Sequence, residues 1–209
     1  MKEFRVQAIN RHRMLTDGEG VTTLVGLYGC PLHCKYCINA DILSKPKFTV
    51  FRPEQLWENV KIDYCYFLST GGGLTFGGGE SLLYTDAILD LMDILPEGVS
   101  VNLETSLNCE TPHFTDIMRR VDSLIIDVKS LEENIYQIYT GQSVHLMKER
   151  LNQILANGFQ EKCKLRVPII PGLVEKAAAL ADAEILRNMG FSNVQVFPYV
   201  IRDYMKTET

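Results

Sequence analysis

The sequence predicts an α/β protein built on parallel strands, and three observations carry that expectation. Short β-branched runs alternate with amphipathic stretches about six times along the chain. No stretch reaches the 18 or more apolar residues of a membrane span. The residues suited to chemistry fall just after the β-branched runs rather than at random. Val21 to Tyr28 reads as the first strand, and Pro53 to Leu68 as a helix with proline in its first turn. Leu74-Thr75-Phe76 is a short strand, followed by a helix from about Tyr84 to Leu95 that aligns Ile88, Leu91, Met92 and Leu95 on one face. Val99 to Thr105 is the next strand, and Phe114 to Val121 the next helix. Leu124 to Val128 is a nearly continuous apolar strand. Met147, Leu151, Ile154 and Leu155 mark a helix stopped at Asn157-Gly158. Lys164 to Ile170 reads as a strand ended by Pro171-Gly172, Ala177 to Met189 as a helix stopped by Gly190, and Val194 to Tyr199 as the last strand.

Such alternation implies right-handed crossovers between parallel strands. An open doubly wound sheet and a partial barrel both satisfy it, and both place chemistry beyond the C-terminal ends of the strands. The chain has 209 residues, 46% hydrophobic and 22% charged, which excludes a disordered tail, a collagen and a small disulfide scaffold. No linker, repeat or low-complexity stretch divides it, so a single domain over 1–209 is expected. A net charge of −5 argues against nucleic acid or an anionic membrane as partner. Met1-Lys2-Glu3-Phe4-Arg5 lacks the apolar core of a signal peptide, so a cytoplasmic location is expected.

In a reducing compartment clustered cysteines point to metal or catalytic use. Cys30, Cys34 and Cys37 stand within eight residues, spaced x3 then x2, while Cys65, Cys109 and Cys163 are scattered. A closed structural zinc site wants four ligands, and ribbons draw them as two pairs; no second pair exists here. A ferredoxin-type cluster also wants four thiolates. Three thiolates on a [4Fe–4S] cluster leave one iron open, as a cluster that binds its substrate requires. Zinc remains the alternative.

After the second strand comes Gly77-Gly78-Gly79-Glu80. It fits neither a dinucleotide fingerprint nor a P-loop, which leaves close backbone approach to a ligand, with Glu80 supplying negative charge. A tight turn with a solvated Glu is the plain alternative. Asp127 and Lys129, two apart at the end of an apolar strand, share a face, where ionisable groups are paired or ligand-bound.

The loop Cys30-x3-Cys34-x2-Cys37, with Tyr36 before the last cysteine, resembles the cluster loop of radical S-adenosylmethionine (SAM) enzymes. More narrowly, the chain is similar to glycyl-radical-enzyme activating enzymes of the pyruvate formate-lyase activating type. The resemblance runs from Asp17-Gly18-Glu19-Gly20 to Phe197-Pro198-Tyr199, through Cys37-Ile38-Asn39, Gly71 to Thr75, Gly77 to Glu80, Asp127-Val128-Lys129 and Arg166 to Gly172. It implies a partial (β/α)6 barrel of parallel strands, and because the gap from Cys37 to Gly77 contains no further Cys pairs, no ferredoxin-like insert is expected. It also implies a [4Fe–4S] cluster on Cys30, Cys34 and Cys37, at which SAM is reductively cleaved to a 5′-deoxyadenosyl radical. That radical would abstract hydrogen from a glycine Cα of a partner glycyl radical enzyme, with reduced flavodoxin or ferredoxin as electron donor.

For the ligand, the resemblance implies that Gly77, Gly78, Gly79 and Glu80 hold the amino group of SAM, and that Lys129 and Arg166 meet its carboxylate. Tyr36 and Pro168 would flank the adenine, and Asp127, Glu104 and Thr105 would bound a monovalent cation. No acid–base residue is required for the cleavage, so no catalytic side chain is assigned. The sequence departs from the family pattern at Val200, where His is usual, at Glu104 in place of Asp, and at Ser81. A radical enzyme acting on a small molecule (7-carboxy-7-deazaguanine synthase-like) or on a peptide is the alternative within the superfamily, and a zinc or electron-transfer protein the alternative outside it. Cys65, Cys109 and Cys163 are expected as buried thiols, His33 as an exposed loop residue, and His12, His113 and His145 receive no role.

Overall fold

The computed structural model describes residues 2–14 and 16–200. In chain order its elements are β1 (Phe4–Met14), β2 (Val21–Leu27), α1 (Ala40–Leu43), β3 (Thr49–Phe51), α2 (Pro53–Val60), α3 (Tyr64–Thr70), β4 (Gly73–Gly78), α4 (Thr85–Met92), β5 (Ser100–Thr105), α5 (Phe114–Arg120), β6 (Ser123–Asp127), α6 (Glu133–Thr140), α7 (His145–Ala156), β7 (Cys163–Ile169), α8 (Lys176–Met189) and β8 (Asn193–Pro198). All six strands expected from the sequence are present, and the fold class is α/β with parallel strands. The described residues form two compact units, one within 2–30, 42–105 and 110–125, the other within 31–41, 106–109 and 126–200.

In the first unit the strand order is β3-β1-β2-β4-β5, followed by the start of β6. β2 pairs with β4, and β4 with β5, in parallel. β1 and β3 are additions that periodicity does not announce. Only Phe4 and Val6 of β1 are fully buried, and β3 is three residues long, so neither carries a sustained alternation. Both pair antiparallel with their neighbours. The core of this unit centres on Phe4, whose ring stacks on Phe76 at 5.4 Å and on Tyr84 at 6.3 Å. Ile88, Leu91, Ile117 and Met118 close it from α4 and α5.

The helix expected over Pro53–Leu68 is instead α2, a single 3-10 turn (Lys61–Asp63) and α3. The break sits at Asp63, which is 2% exposed and accepts hydrogen bonds from Thr23 Oγ1 at 2.7 Å and Arg11 Nη1 at 2.7 Å. An inward carboxylate anchored on β1 and β2 tightens the backbone at that point. α3 carries Cys65 on its surface, so the buried-thiol expectation fails there: the residue lies on the outward side of the helix. Cys109 and Cys163 are buried as expected.

In the second unit the end of β6, β7 and β8 follow one another, with β7 and β8 parallel. Met147, Leu151, Ile154, Ala183 and Leu186 bury the inner faces of α7 and α8. Gly190 ends α8 in the left-handed conformation at φ 116°, as its stop signal requires. α6 carries Tyr136, Tyr139 and Thr140 inward, a stripe too polar to register as an apolar face. Among the described residues no helix is long and apolar enough to cross a membrane.

Truncating Phe76, fully buried between Phe4 and its neighbours, removes ring contacts that the strands cannot close over. Phe76→Ala is expected to lower stability by about 3–5 kcal/mol, read as a drop in the urea midpoint at unchanged slope.

Candidate functional site

The sequence-derived candidates fall into two groups, one on each unit. On the first unit, the C-terminal end of β4 runs through Gly77 and Gly78 into Gly79-Glu80. Gly78 has φ +86°, where a side chain is strained. At Gly79 the constraint is space: a Cβ would lie 2.1 Å from the carbonyl oxygen of Gly29. The backbone here donates from Gly79 N to Leu27 O and from Glu80 N to Gly29 O, each at 2.9 Å. The glycine turn thereby grips the residue immediately before Cys30.

Glu80 is 2% exposed and opens the 3-10 turn Ser81–Tyr84. Its Oε1 accepts from Leu82 N at 3.1 Å and from Thr105 Oγ1, at the end of β5, at 2.5 Å. A carboxylate buried this deeply is tolerable because donors meet it, and the solvated-turn alternative is set aside. A Cβ on Gly77 would meet Glu104 Oε2 at 2.5 Å, so the turn packs against Glu104 as well. Ser81 Oγ donates to Glu104 O at 2.8 Å, and Tyr84 Oη to Tyr28 O at 2.5 Å. Thr105 has one hydroxyl proton and directs it at Glu80, so any cation would see only its oxygen.

On the second unit, Asp127 ends β6 and takes two cationic partners. Arg166 Nε donates to Oδ1 at 2.8 Å, and Lys129 Nζ to Oδ2 at 3.2 Å. Burial raises the Asp127 carboxyl, but Lys129 and Arg166 outweigh it and hold the group below the usual carboxylate range. Burial likewise opposes the Lys129 charge, yet Asp127 prevails and holds the ammonium well above its ordinary value. The ring of Tyr139 lies 5.9 Å from Lys129 Nζ.

The same unit carries Cys34 and Cys37, both half-buried thiols. Burial pushes the Cys34 thiol up, Lys129 opposing and Cys37 adding to it. Cys30, on the first unit, is also a half-buried thiol rather than half of a disulfide. His33 is exposed, as expected for a loop residue. Tyr36 is half-buried, and its carbonyl accepts the hydroxyl of Tyr199. Pro168 is buried in β7, paired with Phe197 of β8. Val200, at the position of the family His, is 76% exposed. Among the described residues no three Cys, His, Asp or Glu stand close enough together to hold a single metal ion. A four-iron cluster asks for a different donor set, one thiolate on each of three separate irons.

Tyr84, Tyr139 and Tyr199 receive no role from the sequence because a hydroxyl-to-carbonyl contact or a ring beside an ammonium leaves no periodic signature. The one available signal was the number of tyrosines near the motifs. Asp182 of α8 was missed too: it accepts from Ser130 Oγ at 3.1 Å and Leu131 N at 3.0 Å, just after Lys129.

Comparison with known proteins gives a consistent picture. Residues 24–183 match the family described as the radical SAM superfamily. A pyruvate formate-lyase-activating enzyme of Clostridium pasteurianum is 28% identical over 88% of this chain and 78% of its own length. One from Staphylococcus epidermidis is 30% identical over 88% of this chain and 76% of its own. Among solved structures, Streptococcus suis SuiB superposes with a TM-score of 0.65 at 11% identity, over 86% of this chain and 40% of that one, which is likeness of fold alone.

The Asp127 cluster sets a pH dependence whose sign is fixed. A carboxylate depressed in the folded state stabilises fully above its unfolded pKa and loses that contribution as pH falls through the folded value. The stability advantage of wild type over Asp127→Asn is therefore expected to be constant near neutrality and to shrink below about pH 4, read from urea midpoints across the range.

Proposed function

The chain belongs to the radical SAM superfamily, as a relative of the pyruvate formate-lyase-activating enzymes, and from that premise we propose that it activates a partner glycyl radical enzyme by abstracting hydrogen from a glycine Cα of that partner. It is a radical SAM enzyme whose cofactors are a [4Fe–4S] cluster and SAM. The observation that carries the proposal is the alignment with two activating enzymes over most of both chains.

The residues present fit these groups. The donor set is three thiols in one short loop, none of them in a disulfide, and the buried carboxylate of Glu80 is held just past the end of β4 by Thr105 and Leu82 N. When bound, the cluster supplies an electron for reductive cleavage of SAM, which yields the hydrogen-abstracting species. Cys30, Cys34 and Cys37 would ligate three irons and leave the fourth for the ligand. Glu80, oriented by Thr105 and Leu82 N, presents negative charge to the amino group of SAM. Lys129 and Arg166 match its carboxylate, with the bidentate geometry of arginine favouring that partner. Tyr36 and Pro168 flank the adenine.

Asp127 has an exchangeable role in this reading. It holds Lys129 and Arg166 until the ligand's carboxylate draws them away, and its oxygens then suit a monovalent cation. A reduced flavodoxin or ferredoxin delivers the electron.

The test is an electron paramagnetic resonance spectrum of anaerobically reconstituted, reduced protein with SAM and native lysate. The expected result is a persistent, oxygen-sensitive glycyl doublet that requires SAM. Accumulation of 5′-deoxyadenosine without it would instead point to a small-molecule or peptide substrate. Cys34→Ala is expected to abolish iron binding and SAM cleavage together, while Cys65→Ala, on the surface of α3, spares both.

A further inference from the structure

The last carbonyls of a helix have no acceptor role within the helix and must find donors elsewhere. α6 ends at Thr140, capped by Gly141 at φ +75°, and two of its final carbonyls are taken by the cysteine loop. His33 N donates to Thr140 O and Lys35 N to Tyr139 O, each at 2.9 Å. The loop closes on itself through Cys37 N to Cys34 O at 3.2 Å. A third attachment comes from Tyr199, just past β8. Its own amide is fixed on Ile169 O at 2.9 Å, and its hydroxyl donates to the carbonyl of Tyr36, between Cys34 and Cys37.

All three attachments act on the loop's backbone, and none uses a cysteine sulfur. Residues 33–37 are thus held through backbone contacts that leave the sulfurs of Cys34 and Cys37 outside the attachments. A loop that must also be ordered when iron enters would lose conformational entropy at that moment, and one held in advance would not.

We propose that Tyr199 is a positioning residue for the cluster: with the last turn of α6 it holds residues 33–37 in their ligating shape before iron binds. The role rests on the reading that Cys34 and Cys37 are ligands. Tyr139 adds to the arrangement, since its carbonyl holds Lys35 while its ring lies beside Lys129, so the turn that carries the loop also borders the cation assigned to the carboxylate of SAM.

The experiment compares wild type with Tyr199→Phe, which removes only the hydroxyl. Amide hydrogen exchange is measured on the iron-free proteins, then iron uptake and the rate of iron loss to a chelator on the reconstituted ones. In iron-free wild type, the His33 and Lys35 amides should be protected. In Tyr199→Phe they should exchange about three- to tenfold faster, as expected for one lost hydrogen bond. Amides of β7 should be unchanged, which separates local loosening from general destabilisation, and iron loss should accelerate at equal initial iron content. Exchange at His33 and Lys35 as fast as in an unfolded chain, or equal in the two proteins, would overturn the proposal while leaving the cluster reading standing if iron is still bound. Failure of wild type to take up iron would overturn the cluster reading, and with it the role given to Tyr199.

Discussion

Much of the first unit depends on one close approach: the backbone of Gly79 lies against the end of β2 with no room for a side chain. Two backbone hydrogen bonds, to Leu27 O and Gly29 O, are the return on that proximity. They set the height of the turn above the parallel strands and so the position of Glu80. They also fix the root of the cysteine loop, because Gly29 precedes Cys30. Tyr84 secures the same root from the next turn, at Tyr28 O. The register Gly26↔Gly77 and Leu27↔Gly78 carries this arrangement down into the sheet.

The charged residues are held in two different ways. Glu80 accepts from a hydroxyl and an amide, those of Thr105 and Leu82. Asp127 is paired with two cations in a half-buried setting, Lys129 on one carboxylate oxygen and Arg166 on the other. Such pairs contribute modestly to stability and owe their form to the need to avoid unpaired buried charge.

The parallel strands were legible as short apolar or β-branched runs, several of them bounded by glycine or proline, and because Gly158 and Gly190 stop their helices in the left-handed conformation. Periodicity did not see β1 and β3, whose exposed faces break the alternation, or the turn at Asp63, where a tertiary carboxylate contact overrides helix propensity. α6 was invisible because tyrosine and threonine form its buried face. Cys65 was misplaced because a thiol's burial depends on which side of α3 it occupies, and two separate helices replaced the one expected. For the site, spacing alone singled out the cysteines and the glycine turn, whereas particular partners for Lys129, Arg166 and Glu80 came from family resemblance. The contacts that hold these residues, from Thr105, Tyr139 and Tyr199, are long-range and appear only in three dimensions.

The central claim is that three thiolates hold a four-iron cluster whose remaining iron is reserved for SAM. Mössbauer spectroscopy of protein reconstituted with iron-57 tests this directly, because it resolves individual iron sites. The account predicts that adding SAM shifts about one quarter of the signal, the one iron in four without a cysteine ligand, and leaves the rest in place. A spectrum unchanged by SAM, or a protein that binds zinc in place of iron, would contradict it.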